Sequence, residues 1–380
     1  MKHSTLILAI ALLTLTACHD DGLSTITFHV HADTLPDGTT PTIYMASSLP
    51  QTGHWVPNGI ALEPIGNDRY ETSFTLPRGL EVEYKFTRGT WPTEAVDTGG
   101  SPLPNFALTV HGDTTVMHRV VGWRDNSAPP ARQVTGQVEY IDLDMSKYDL
   151  ADRQATVWLP PGYYDNNKMR YPVLYVHDGQ NAFDPTTSAF GKDWQLDETA
   201  DSLIRADLIE PIIMVAIPCS GQYRNEEYSQ HPMGDRHRRY LAESLKPMID
   251  RRYRTRSGPE NNAVLGSSMG GLAAFITGWQ HNETFGKVAS FSPAFEIRQY
   301  SYVDTVINYN STPKQMALYI DNGTEGLEAQ LQPGIDRMMQ TLDARNYDYE
   351  WYLDEGAEHN EPAWAARAYR PLIQFFGKGN

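Results

Sequence analysis

The chain has 380 residues, enough for one large domain and one small one. Hydrophobic residues make up 40% and charged residues 21%, the balance of a folded globular protein rather than a disordered one. A net charge of -16 without any basic run argues against nucleic acid as a partner.

Met1-Lys2-His3 gives the chain a positive start, and the apolar stretch over 6–15 is too short for a stable membrane anchor. The stretch ends in Leu15-Thr16-Ala17-Cys18. That ending resembles the lipobox of bacterial lipoproteins. The resemblance implies a leader over 1–18, lipid on Cys18 and an exported protein tied to the cell envelope. An ordinary signal peptide cut near Ala17 is the alternative. Cys219, the second of two cysteines, is then without a partner. It follows the apolar run 212–217 and reads as a buried small hydrophobe. No later stretch is apolar and long enough to span a membrane. No Cys/His cluster has zinc spacing, and His29 and His31 on one strand are two ligands without a third, so no metal is expected.

Residues 24–123 read as short strands over 25–31, 42–46, 69–76, 81–87, 106–110 and 115–120. Asp37-Gly38, Asn67-Asp68, Arg78-Gly79 and Gly99-Gly100 punctuate them, a spacing that argues for a small all-β sandwich. Residues 124–133 hold two prolines and no periodicity and read as a linker. From 134 to 380 strands alternate with helices. Strands are expected over 171–176, 212–217, 262–265, 287–290, 316–320 and 349–353. Helices are expected over 194–206, 238–250, 327–344 and 364–376. That alternation implies an α/β domain, a mostly parallel sheet with helices on both faces.

The chemistry is marked by Gly266-Ser267-Ser268-Met269-Gly270-Gly271, between the 262–265 strand and an apolar helical run. Strand, G-x-S-x-G and helix together make a nucleophile elbow with Ser268 at its tip. Side chains at Gly266 and Gly270 would collide with the neighbouring strand and helix. The N–H of Met269 then faces an oxyanion. A serine hydroxyl needs a base. His281 lies at the far end of the elbow helix, and His237 precedes the nucleophile in a polar loop. His359 follows the last strand, where a loop can fold back over the strand ends, and is the expected base. The acid that fixes its tautomer should follow the 316–320 strand. Asp321 and Glu325 both qualify, Glu328 lies further out, and periodicity does not choose. The second oxyanion donor should come from the loop His177-Asp178-Gly179-Gln180-Asn181. Gln180 is the first choice and Gly179 stands behind it, while His177 is expected to hold the loop by hydrogen bonds.

These residues resemble the bacterial esterase family of α/β-hydrolases that includes feruloyl, acetyl-xylan and enterochelin-type esterases. The likeness covers roughly 140–380. It rests on the Tyr171-to-Asn181 block, Asp193-Trp194-Gln195-Leu196-Asp197-Glu198, Arg224-Asn-Glu-Glu-Tyr228, the elbow and His359. Many relatives carry D-x-G-T-x-E-G after the acid strand. Here Asp321-to-Gly326 is one residue shorter, which favours Glu325. The resemblance implies a serine carboxylic ester hydrolase without cofactor, acting on an acylated carbohydrate or siderophore-like ester. Acyl transfer to a sugar alcohol would use the same residues. The front region resembles starch-binding carbohydrate modules through Gly53-His54-Trp55 and Glu83-Tyr84-Lys85-Phe86. That implies α-glucan binding by Trp55, Lys85 and Trp91, unless the two tryptophans fill the sandwich core. A surface glycan-binding lipoprotein with an inactive hydrolase domain is the reading from another class.

Overall fold

The computed structural model describes residues 22–98, 100, 102–103, 105–126, 133–188, 191–297 and 300–379. Cys18 with its leader, and most of the stretch read as a linker, lie outside the described residues. The chain divides into two compact units, Met1–Ala128 and Pro129–Asn380. No helix among the described residues is long and apolar enough to cross a membrane.

The first unit has eight strands: β1 Leu23–Ala32, β2 Tyr44–Ser47, β3 Ile60–Ala61, β4 Glu63–Gly66, β5 Arg69–Pro77, β6 Glu81–Thr87, β7 Phe106–Thr109 and β8 Thr114–Val120. They form two four-stranded sheets, ordered β4-β5-β1-β8 and β3-β2-β6-β7. Pairing is antiparallel except between β1 and β8. Alternating Ile26, Phe28 and Val30 on β1 meet Val82, Tyr84 and Phe86 on β6 in one core, as period-2 strands buried on one face require. Phe28 and Tyr84 pack edge to face with centroids 4.9 Å apart. β3 and β4 have no signal in the sequence: they are short and half exposed or exposed, without an apolar run.

The second unit is built on one eight-stranded sheet, with β9 Gln137–Leu143, β10 Arg153–Leu159, β11 Val173–His177, β12 Ile213–Ile217, β13 Asn262–Ser267, β14 Lys287–Phe291, a small hairpin β15 Glu296–Ile297 and β16 Tyr300–Ser301 outside it, then β17 Ala317–Gly323 and β18 Tyr349–Asp354. The order is β18-β17-β14-β13-β11-β12-β10-β9. The six strands from β12 to β18 are parallel, and β9 and β10 add an antiparallel edge. The helices are α1 Leu196–Arg205, α2 Arg224–Tyr228, α3 Pro232–Tyr240, α4 Lys246–Arg252, α5 Met269–Gln280, α6 Val303–Ile307, α7 Leu327–Asp343, α8 Glu361–Arg367 and α9 Tyr369–Phe376. Val173, Tyr175, Val215 and Val264 face one core, while Leu174, Val176, Met214 and Leu265 face another. The central strands are buried on both faces, which is why they read as unbroken apolar runs. This is the α/β-hydrolase fold.

The order of the strands also fixes where a site can lie. From β11 the chain passes to β12 on one side, and then returns to β13 on the other. The loops leaving the carboxyl ends of β11 and β13 therefore diverge and leave a crevice between them. Those loops carry Asp178–Asn181 and Ser268.

Candidate active site

Ser268 stands between β13 and α5 with φ 57° and ψ -123°. That is a strained conformation for a residue with a side chain, and the surroundings impose it. The Ser268 N–H donates to the Phe291 carbonyl (2.8 Å), and its own carbonyl accepts from Leu272 (3.0 Å) and Ala294 (3.2 Å). A Cβ on Gly266 would lie 2.3 Å from the Gly270 carbonyl oxygen, and one on Gly270 would lie 2.7 Å from Asp178 Oδ2. Both glycines are thus required for space, Gly266 against the elbow helix as expected and Gly270 against the Asp178 side chain of the loop after β11. Met269 is the first residue of α5, so its N–H has no partner within the helix.

Asp178 enters the loop after β11 in the left-handed region, and Gly179–Asn181 make one turn of 3-10 helix. The N–H groups of Asn181 and Ala182 are used within that turn, at 2.8 and 3.2 Å. The N–H of Gln180 precedes them and has no acceptor within the turn. The Gln180 side chain is shared between Cys219 and Asp178. Its Oε1 accepts the Cys219 N–H (3.1 Å) and its Nε2 approaches Sγ (3.6 Å). Burial, aided by the Asp178 charge, pushes the Cys219 thiol up to about 12, so it stays protonated and is no nucleophile. The bareness of Gly179 serves packing: a Cβ there would lie 2.3 Å from the backbone of β12 at Ala216 and Ile217. His177 does not hold the loop by hydrogen bonds. Among the described residues neither of its ring nitrogens, nor either of those of His237, has a partner. The two rings pack with centroids 5.5 Å apart, and both are buried. Burial lowers His177 to about 3 and His237 well below its ordinary value. His237 belongs to α3, not to a polar loop.

His359 lies between β18 and α8. Its Nδ1 is 2.9 Å from Glu328 Oε2. An ionised carboxylate can only accept, so Nδ1 carries the proton and Nε2 is left as a base. Glu328 is fully buried. Burial pushes its pKa up, but the His359 and Ser292 hydrogen bonds and the Arg367 charge outweigh this and hold it below the ordinary value. Ser292 Oγ donates to Glu328 Oε1 (2.6 Å), and itself accepts from Trp364 Nε1 (3.0 Å) and Arg367 Nη2 (2.7 Å). The Trp364 ring stands edge-on to His359 at 4.9 Å. Ser292 follows Phe291, the residue that holds the Ser268 N–H, so Glu328, His359 and the elbow are tied through the end of β14.

The expected acids are placed elsewhere. Asp321 is buried against Arg367, with Oδ2 2.9 Å from Nε, and its Oδ1 accepts the Ser292 N–H. Burial raises it to about 6 against the pull of Arg367. Glu325 is exposed, with its carboxylate 3.2 Å from the Thr324 hydroxyl. The Thr324 and Glu325 N–H groups both bond the Ala357 carbonyl, which fixes this loop below the His359 segment and leaves the Glu325 side chain in solvent. The carboxylate against His359 is therefore Glu328, on the first turn of α7. A signal for it exists: Leu331, Ile335, Met338 and Leu342 form the buried stripe of α7, and one step back along that stripe falls on Glu328. Ser292, Trp364 and Arg367 had no such signal.

In the front unit Lys85 is buried and paired with Glu94 Oε2 at 3.1 Å, so its ammonium is not available to a sugar. Trp55 and Trp91 are half-buried, and the buried core contains Trp123 instead. His29 pairs with Glu71 at 2.7 Å.

A family model described as Putative esterase matches residues 150–369. An endo-1,4-beta-xylanase/feruloyl esterase of Xylanibacter ruminicola is 27% identical over 222 residues, 55% of this chain and 27% of that protein. An amylopullulanase of Thermoanaerobacterium thermosulfurigenes is 30% identical over 97 residues, 24% of this chain and 5% of that protein. The chain thus spans only a small part of either relative. The solved enterobactin esterase of Shigella flexneri has a TM-score of 0.54 at 16% identity, with 94% of each chain covered; at that identity the likeness is one of fold. The family model spans more than half of the chain, so the protein belongs to the Putative esterase family and is a carboxylic ester hydrolase.

Proposed function

We propose that the protein is a serine esterase working through Ser268, His359 and Glu328. The observation that carries this reading is the 2.9 Å hydrogen bond between His359 Nδ1 and the buried Glu328 carboxylate. Ser268 Oγ attacks the ester carbonyl while His359 Nε2 takes its proton, and the N–H groups of Met269 and Gln180 receive the oxyanion. Collapse of the tetrahedral intermediate expels the alcohol, which takes the proton from His359. Water then repeats the cycle on the acyl-enzyme. Glu328 stays ionised and stabilises the imidazolium. Apart from the ester and water, every group in these steps belongs to this chain.

The substrate class we favour is an acylated carbohydrate or a siderophore-like ester. The xylanase/feruloyl esterase and the enterobactin esterase support that choice by similarity alone. For the front unit we propose a weak α-glucan site on Trp55 and Trp91, without Lys85. For the chain as a whole we propose an exported lipoprotein anchored through Cys18. Hydrolysis of p-nitrophenyl acetate tests the chemistry. Ser268→Ala should lower turnover by about 10⁶-fold, as loss of a triad nucleophile does, and turnover that survives this change overturns the mechanism.

A further inference from the structure

The segment from Arg224 to Tyr228 has no role in the chemistry above, yet it meets both oxyanion-bearing segments at one carboxylate. Asp178 is 1% exposed. Its Oδ1 accepts from Arg224 Nε at 2.8 Å and its Oδ2 from Arg224 Nη2 at 2.6 Å, a two-pronged pair. The Asp178 N–H donates to the Tyr228 hydroxyl at 2.8 Å, and Gln180 Nε2 reaches Oδ1 at 3.3 Å. The Arg224 guanidinium lies 5.2 Å over the Tyr228 ring. On its other side the carboxylate abuts α5, where a Cβ on Gly270 would come within 2.7 Å of Oδ2.

Asp178 holds φ 53° without being glycine, an unfavourable conformation that persists only when surroundings enforce it. Those surroundings are Arg224 and Tyr228. The residue so fixed immediately precedes Gly179-Gln180, and it touches the residue after Met269. Resting on the serine-esterase reading, we propose that Asp178, Arg224 and Tyr228 form a clamp that sets the Gln180 N–H against the Met269 N–H, making Arg224 and Tyr228 positioning residues for the oxyanion hole. The charges around the clamp agree with this role. Glu227 is taken by Arg153 at 2.9 Å. His177 and His237, whose rings pack on Tyr228 at 5.2 and 5.8 Å, are held neutral by burial. The Asp178 carboxylate is kept ionised by Arg224 against the cost of burial.

The test is Tyr228→Phe, which removes one oxygen and keeps the ring. With p-nitrophenyl acetate, kcat should fall roughly 10- to 100-fold while KM stays within about twofold, since a misplaced donor is felt only by the oxyanion. The inhibition constant of a phenylboronic acid, which forms a tetrahedral adduct on the serine, should weaken in parallel. Arg224 keeps 29% of its side chain in solvent, and Arg224→Lys keeps a charge opposite the buried Asp178. Arg224→Met should lose more kcat than Arg224→Lys, which restores the charge without the second prong. Unchanged kcat and boronate affinity in these variants, whatever happens to melting temperature, overturns the clamp and leaves a plain buried ion pair. Ser268→Ala in the same assay reads the underlying function separately. Turnover surviving that change overturns the triad and the clamp with it, whereas turnover lost there but intact in the Tyr228 and Arg224 variants overturns the clamp alone.

Discussion

Three carboxylates lie within eight residues, from Asp321 near the end of β17 to Glu328 on the first turn of α7, and their environments separate their roles. Glu325 is in water, Asp321 answers Arg367, and Glu328 answers His359. Glu328→Gln should lower kcat by about 10⁴-fold, as loss of the carboxylate that fixes a catalytic imidazole does. Glu325→Gln should leave kcat within about twofold, because exposed groups away from the reacting atoms contribute little. Equal losses in the two variants would count against Glu328. Asp321 is read through stability and pH. Unfolded aspartate titrates near ~3.9, and Asp321 in the fold is raised to about 6. Between those values the native state holds more protons than the unfolded one, so this group's contribution to stability falls as pH rises through the window. Asparagine does not titrate. Wild-type stability relative to Asp321→Asn should therefore decline by roughly 2–3 kcal/mol between about pH 4 and about pH 7. Urea unfolding at the two pH values measures it, and a constant difference would refute the raised value.

At the scale of elements, the elbow was legible because strand, glycine pair and helix each leave a local mark. Its steric logic gives a direct check. Gly266→Ala places a methyl 2.3 Å from backbone at Gly270, and backbone cannot rotate aside. Thermal melts should show destabilisation beyond the ~1–3 kcal/mol typical of overpacking, with esterase activity lost alongside. A soluble, active Gly266→Ala would mean that the elbow relaxes more than close packing allows. α7 shows how an element can carry a site on its buried face. Its apolar stripe runs one turn past the last hydrophobe and ends in Glu328, so helix periodicity and chemistry share one side. The edge strand β9 went unread for the opposite reason: Gln137-Val-Glu-Tyr-Ile-Asp-Leu143 mixes exposed and buried positions and makes no apolar run.

For the whole molecule, the two units make separable predictions. Trp123 is buried in the sandwich core, whereas Trp55 and Trp91 are not part of it. In the full chain, Trp123→Ala should cost about 3–5 kcal/mol of the front unit's stability. Trp55→Ala and Trp91→Ala should leave its melting unchanged. Affinity electrophoresis in starch or glycogen then reads the proposed glucan site. Retardation of wild type that is lost in both tryptophan variants supports it, and wild-type mobility indifferent to α-glucan refutes it.

The sequence by itself determined the strand-helix alternation, the parallel sheet and Ser268 as the elbow serine, because apolar period, glycine spacing and strand-to-helix order are local. It also singled out His359 and the Gln180 loop through their places after strands. Only the tertiary structure decided among the carboxylates. Asp321, Glu325 and Glu328 carry the same group within one short stretch. What distinguishes them is which of Arg367, solvent and His359 each one meets. Arg367 and His359 come from the far end of the chain, and Ser292 comes from the end of β14. The same holds for Lys85, which the resemblance to carbohydrate modules offers to a sugar and which the fold buries in a pair with Glu94. Partners distant in sequence set the burial and charge of such groups, and no local pattern records who those partners are.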